Sequence, residues 1–417
     1  MCPGRAANGR RNTLDHPILI VLVIAVTAPL LSEIRLGFRI PTVVIEMVLG
    51  LLVGPHALGW VSLDSLRHDQ PVFLLDQAGL AFLFFLVGMD IDLARFRGRP
   101  LALAVSSWCL SLLVAIGLVT LLYLTSVIRA PVLVAIALST TATGMLGPLL
   151  RDAQQLDTKF GIYLMAAGTI GEFGPIMIIA LVFTRIHSYP AQVSLMLFFI
   201  AVAMTMAVAA LRVHPLRMMR LFHRTLHASS QLPVRICMLV LTFLMMLAGA
   251  FGLDALLGAF AAGMVIGLAA RGKDGHLLRE KLDAIAFGYF VPFFFVTSGM
   301  VFDSSALFKS IDSILLTPLF LGLFLIVRGG PLFMYRRDFT RAERRTFALY
   351  LATELPLTVA IVSIGLNTGL MREEVAAALT GAAMLSALLF PMAAAWLQDR
   401  SEAPLSHEGH GAAAPRV

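Results

Sequence analysis

Apolar stretches of about 18–25 residues, each long enough for a helix to span about 30 Å of hydrocarbon, recur along almost the whole chain between short polar connections. They fall at roughly 16–35, 41–59, 72–91, 100–124, 130–150, 159–186, 190–211, 233–251, 254–271, 282–302, 313–335, 345–370 and 373–397, thirteen in all. The pattern predicts an all-α polytopic membrane protein with about thirteen transmembrane helices. One membrane domain, 16–398, is expected between a polar tail at 1–15 and a polar, Ala-, Pro- and Gly-containing tail at 399–417 that reads as disordered. Residues 1–15 are polar and basic and do not resemble a cleaved signal, and the first apolar run is long enough to remain as a helix.

Three local patterns repeat at an offset of about 212 residues. Gly50-Leu-Leu-Val-Gly54 is echoed by Gly263-Met-Val-Ile-Gly267, Phe84-Phe85-Leu-Val-Gly88-Met89 by Phe294-Phe295-Val-Thr-Ser-Gly299-Met300, and Thr140-Thr141 by Thr353-Glu354. The offset equals seven segments, an odd number, so the two copies are expected to run in opposite directions through the membrane. Runs five and twelve also have the makings of interrupted helices. The fifth packs Ser139, Thr140, Thr141, Thr143, Gly144, Gly147 and Pro148 into one span, and the twelfth carries Thr353, Glu354, Pro356 and Thr358. Proline removes a backbone donor, while Gly and Thr permit and re-satisfy broken turns. Two such breaks crossing near the midplane would aim helix ends and carbonyls at a cation.

Composition agrees with a membrane class: 59% hydrophobic residues, 14% charged and a mean hydropathy of +0.87, against about 25% charged in soluble domains. The net charge of +7 is a topology signal rather than a nucleic-acid footprint. About 22 of the 32 Lys and Arg lie in the odd-numbered connections and the C-terminus, about 8 in the even-numbered ones and the N-terminus. The positive-inside rule then places the odd connections and the C-terminus in the cytoplasm and the N-terminus outside, in the cell membrane. Cys2, Cys109 and Cys237 fit no metal spacing and suggest no disulfide. No phosphate-binding loop is present, and neither an enzymatic activity nor a cofactor is expected.

Against this apolar background Glu172 and Arg328 stand out, each deep in a spanning run at a cost of a few kcal/mol. A carboxylate can be neutralised by H⁺ or by a small hard cation, but not by both at once. Glu172 is therefore the expected shared site, a transient seat for a monovalent cation. The hydroxyls of Thr140 and Thr141 and broken-helix carbonyls would supply oxygen ligands. For Glu172 the competing use is a structural ion pair with Arg328. Arg328 cannot deprotonate and is expected to compensate charge or to clamp the broken-helix carbonyls, with snorkelling toward the cytoplasmic side as its competing use. Glu354 is a second ion-site candidate or a helix cap. Glu46 is expected to be structural, Asp90, Asp92 and Asp303 to be caps or gate residues, and His187, His214, His223 and His227 to be pH sensors at most.

Several stretches resemble the monovalent cation/proton antiporter-2 family over residues 15–398. Ile45-Glu46-Met-Val-Leu-Gly-Leu-Leu-Val-Gly-Pro55-His-Ala-Leu-Gly59 is similar to its second helix, with Ile45 in place of the usual Gly. Phe84 to Arg97, Leu257 to Gly267 and Val291 to Asp303 are similar to three other family patterns. The resemblance implies a thirteen-helix protomer in a homodimer. Core helices within about 100–186 and 313–398 would move against dimerisation helices within about 16–91 and 233–302. It also implies a cation and proton site at mid-helix in the sixth segment. The family's Asn-Asp or Asp-Asp pair reads Gly171-Glu172 here, Thr141 matches the family's Thr, Arg328 falls where a Lys or Arg is usual, and only Glu354 survives of an Arg-Gly-Glu pattern. The expected activity is exchange of Na⁺ or K⁺ for H⁺ by alternating access in a lipid bilayer, electroneutral if Glu172 alone titrates. A cation-coupled symporter of organic anions and a gated cation channel are the alternatives.

Overall fold

Each apolar run carries helix in the computed structural model, which describes residues 17–33, 42–62, 70–90, 96, 98–182, 189–212, 230–270, 273–302 and 311–402. Among these residues there is no strand. The helices are α1 (Pro17–Ser32), α2 (Thr42–Val53), α3 (Gln70–Met89), α4 (Arg99–Leu124), α5 (Pro131–Leu138), α6 (Thr143–Asp152), α7 (Lys159–Val182) and α8 (Tyr189–Arg212). They continue with α9 (Leu232–Ala250), α10 (Ala255–Ala269) and α11 (Lys273–Ile285), which passes through a π-turn into α12 (Val291–Val301). Last come α13 (Ile311–Gly329), extended by a 3-10 segment at Gly330–Arg337, then α14 (Arg341–Leu351), α15 (Pro356–Asn367) and α16 (Glu373–Glu402). Eight spans among the described residues are long and apolar enough to cross a membrane.

The polar connections sort by parity. Arg99 on connection three donates from Nη2 to Asp338 Oδ2 on connection eleven at 2.9 Å, and Lys159 on connection five reaches the Asp338 carbonyl at 2.9 Å. Arg279 on connection nine pairs with Asp90 at the end of α3 at 2.8 Å. On the opposite face, Arg372 on connection twelve donates to the Val127 carbonyl on connection four. Odd connections thus meet odd, and even meet even, as successive membrane crossings require.

Asp338 is the knot of the odd face. Arg99 hydrogen bonds hold its carboxyl below the usual carboxylate range, and Tyr163 donates to it as well. A carboxyl depressed in the folded state contributes stability above its unfolded pKa and loses it as pH falls through the folded value. Asp338→Asn is therefore expected to lower the melting temperature in detergent at neutral pH. It should also remove part of the acid-side loss of stability, measured by melting scans across pH.

Two groups of helices pack side by side. In the first, α3 lies on α10 and α2 on α12, each pair joined at glycines. At the α3–α10 crossing a Cβ on Gly263 would fall against the Phe85 carbonyl and within 2.9 Å of Gly88 Cα, so only small residues allow the two backbones this approach. In the second group, α4 packs on α7 and α16 on α13 and α14. Phe160, Tyr163, Tyr335, Phe339, Phe347 and Tyr350 fill its odd-face end. The groups meet where Phe173 of α7 stacks on Phe260 of α10, centroids 5.1 Å apart.

Candidate ion-binding site

Runs five and twelve are both broken, and the breaks touch. α5 stops at Leu138 because the following hydroxyls turn back on its last carbonyls. Ser139 Oγ donates to Ile136 O, and Thr140 Oγ1 lies within reach of Ala137 O, each at 2.8 Å. The chain resumes as α6 at Thr143. α14 stops at Leu351 because Pro356, at the start of α15, has no N–H to continue the ladder. Between the stubs, the Ala142 N–H donates to the Thr353 carbonyl at 2.8 Å. Thr141 Oγ1 donates to Leu351 O at 2.6 Å. Glu354 is held from α16: its N–H donates to Ser386 Oγ at 2.9 Å, and that hydroxyl lies 3.0 Å from its carbonyl. Trp108 of α4 braces the first break through Nε1–H to Ser139 O at 3.1 Å. The crossing presents two helix C-termini and two N-termini, partial charges of both signs, at one place.

Three formal charges sit here out of water: Glu172 is 2% exposed, Arg328 2% and Glu354 1%. Arg328, in the last turn of α13, donates from Nε to Thr141 Oγ1 at 2.8 Å, from Nη1 to Ser111 Oγ at 3.4 Å and from Nη2 to Ala167 O at 3.3 Å. Among the described residues no ion pair joins it to Glu172 or Glu354, so the structural pairing weighed for Glu172 is not formed. The guanidinium instead clamps α13 to the first break and to α7. Glu354 Oε2 is contacted by the Thr140 hydroxyl and lies 3.4 Å from Thr358 Oγ1, while its Oε1 has no partner. Glu172 stands at mid-course of α7 opposite the N-terminus of α6. Its Oε2 is buried without a hydrogen-bond partner, and so is Thr143 Oγ1. Thr143 leans on α7 one turn earlier: a Cβ on Gly168 would sit 2.8 Å from that hydroxyl oxygen.

Gly171, beside Glu172, leaves the room that Arg328 occupies. A Cβ there would overlap Nη2 and come within 3.0 Å of Thr141 Oγ1 and 3.1 Å of Cζ. Gly171→Val is expected to push the guanidinium off Thr141 and Ala167. Loss of one charge-assisted hydrogen bond, about 1.5–3 kcal/mol, corresponds to a drop of about ten- to a hundredfold. The comparison is initial transport rates of reconstituted protein at matched folded yield.

The structure brings Thr140, Thr141, Glu172, Arg328 and Glu354 to one crossing. The Thr140 hydroxyl contacts Glu354, and the Thr141 hydroxyl donates to the Leu351 carbonyl and accepts from Arg328. Thr143 and Thr358, whose positions suggested only helix breaks, supply further hydroxyls at the crossing: that of Thr143 is buried without a partner, and that of Thr358 lies beside Glu354 Oε2. Ser111, Ser386 and Trp108 gave no signal at all, since each is an ordinary residue on a long apolar helix. Glu46 is buried in α2, the helix that packs on α12, and Asp90 pairs with Arg279. Asp92, Asp303, His187, His214, His223 and His227 lie outside the described residues.

A helical membrane bundle with two touching helix breaks and buried carboxylates beside them defines the class: a secondary transporter fold. The chain belongs to the transmembrane sodium/hydrogen exchanger family, which matches residues 21–398. It is similar to the putative Na⁺/H⁺ antiporter YjbQ of Bacillus subtilis, 25% identical over 408 residues that cover 93% of this chain and 64% of the relative. It is 26% identical to cation/H⁺ antiporter 19 of Arabidopsis thaliana over 72% of this chain and 40% of the relative. The chain thus spans less than two thirds of these relatives. It is also 21% identical to the probable Na⁺/H⁺ antiporter 3 of Methanocaldococcus jannaschii, over 90% of this chain and 94% of that one. The solved sodium proton antiporter MjNhaP1 of the same archaeon shares the fold, with a TM-score of 0.59 at 15% identity over 91% of this chain and 93% of that one.

Proposed function

We propose that this chain exchanges a monovalent cation, Na⁺ or K⁺, for H⁺ by alternating access, with Glu172 as the carboxylate the two ions share. One observation carries the reading: Glu172 Oε2 and Thr143 Oγ1 are two buried oxygens without partners at the N-terminus of α6. A buried polar atom left unpaired is costly, and a small hard cation or a proton would relieve that cost. Thr140 and Thr141 shape the site by holding the breaks together and by fixing Arg328 and Glu354 around it. The antiporter names of the relatives support the substrate class.

An access route is supported from the even-connection face. A cavity of about 1200 Å³ between the two helix groups is lined by His56, Asp254 and Glu373, which stand near even connections. Asp76, Thr297 and Val359, the last next to Thr358 on α15, line it as well. With odd connections in the cytoplasm this route faces outward, and the N-terminus lies outside. The packing of the helices in two groups supports the division into core and dimerisation helices, with the second group carrying the ion across against a homodimeric first group embedded in lipid. The exchange-symmetric packing of α2 on α12 and α3 on α10 supports an inverted repeat. One carboxylate trading one cation for one proton moves no net charge.

The test is purified protein in liposomes with a trapped pH dye and Na⁺, K⁺ or Li⁺ added outside. A cation-dependent pH change that is indifferent to an imposed membrane potential supports the reading and names the cation. Silence with every cation across neutral and mildly alkaline pH overturns it in favour of symport. An ohmic current would make the protein a channel.

A further inference from the structure

The crossing holds two buried carboxylates and one permanent cation, and this count has a consequence that rests on the exchange reading above. We infer that Glu354 is the fixed counter-charge of Arg328 and never carries an ion, so that the pair cancels and leaves Glu172 with one exchangeable charge.

The unpartnered oxygens do not distinguish the carboxylates, because each has one. Their surroundings do. Arg328 and Glu354 bind adjacent residues of the first break: Arg328 Nε donates to Thr141, and the Thr140 hydroxyl contacts Glu354. Thr358 Oγ1, 3.3 Å from Thr140 Oγ1, adds a second hydroxyl beside Glu354 Oε2. Opposite charges in a water-excluded region attract strongly even without touching, and a guanidinium cannot give up its charge to relieve an imbalance. Glu354 is also fastened by its backbone at both N–H and C=O to Ser386. Among the described residues no hydrogen bond or ion pair joins the guanidinium to Glu172: it packs on the neighbouring Gly171 and donates to the Ala167 carbonyl instead. Among the described residues Glu172 on α7, Glu354 at the second break, Arg328 on α13 and Tyr335 on the 3-10 segment face this region, and Asp90 at the end of α3, within electrostatic reach of Glu172, is already paired with Arg279. Tyr335 is neutral, its hydroxyl 3.0 Å from Ser107 Oγ. With Arg328 and Glu354 cancelling, neutrality demands one cation or one proton at Glu172 in every state.

The experiment compares wild type with Arg328→Gln, Glu354→Gln and the double variant carrying both, in the liposome assay, with folded yield and melting temperature recorded for each. Arg328→Gln leaves two uncompensated carboxylates, and Glu354→Gln leaves an arginine that repels the incoming cation. Either single change is expected to slow exchange at least tenfold, with the cation KM rising at least tenfold in Glu354→Gln. The double variant is expected to recover most of the rate and a KM near wild type. A double variant no better than the worse single one overturns the inference. A second measurement needs no variant: the slope of log apparent cation affinity against pH should be one proton per cation, and a slope of two would mean that Glu354 titrates too. Adding Glu172→Gln to the double variant separates the two ideas. Exchange that survives this change defeats the carrier role of Glu172, whereas failed rescue with a dead Glu172→Gln defeats only the pairing.

Discussion

Replacing Glu172 by Gln is expected to reduce cation-driven proton movement at least about a hundredfold without loss of fold. The amide keeps the shape of the side chain but takes up no proton and offers no negative charge to a cation, so both half-reactions fail together. The structure also separates this effect from simple damage. Glu172 makes no ion pair with Arg328, so the substitution strands no partner, and a neutral side chain is cheaper to bury than a charged one. The melting temperature in detergent should be equal to or higher than that of wild type. Cation-induced stabilisation should vanish, since a ligand that binds only the native protein raises its apparent stability by mass action. Exchange at a normal rate in this variant would move the carrier role to Glu354.

Gly263→Leu is expected to be the most damaging change outside the ion site. The Cβ alone would strike the Phe85 carbonyl, which is main chain and cannot rotate away. The whole side chain then has to be admitted by prising α10 from α3. Overpacking of side chains costs about 1–3 kcal/mol. A clash with backbone on both helices belongs at or beyond the upper end, enough to abolish monodisperse protein on gel filtration. Gly117→Leu is the control: it too places leucine on a membrane helix, but a Cβ there meets open space. It should be recovered at wild-type yield. Equal yields for the two variants would show that the seam between α3 and α10 is looser than its geometry states.

The seam was written in the chain more plainly than its purpose was. The glycine patterns around Gly88 and Gly263 showed up as repeated motifs, yet motif and offset alone did not say that these two residues face each other. The apolar runs that carry the helices were legible because lipid exposure demands long apolar stretches, a constraint that acts locally along the sequence. The breaks at Ser139–Ala142 and Ala352–Leu355 were legible for a similar reason, since hydroxyls and Pro356 act on their own neighbours. Contacts between segments were not. Nothing in the order of residues says that Gly171 makes space for a guanidinium from α13. Nor does it say that Thr143, rather than Thr141, leaves its hydroxyl without a partner at the crossing. Those facts depend on helix rotation, which an almost uniformly apolar surface does not encode: the helix pattern has no polar face to give its orientation away.

Trp108 gives the crossing its own optical reporter. The chain has three tryptophans; Trp60 and Trp396 are exposed on the outer surface of the bundle. Trp108 alone is wedged at the site, its indole N–H on the Ser139 carbonyl and its ring against Gly174, two residues beyond Glu172. Any rearrangement of the first break that accompanies loading or unloading must alter the polarity around that one ring. Intrinsic fluorescence of the unlabelled protein therefore offers a direct reading of occupancy, and Trp108→Phe identifies which part of the signal belongs to the ion.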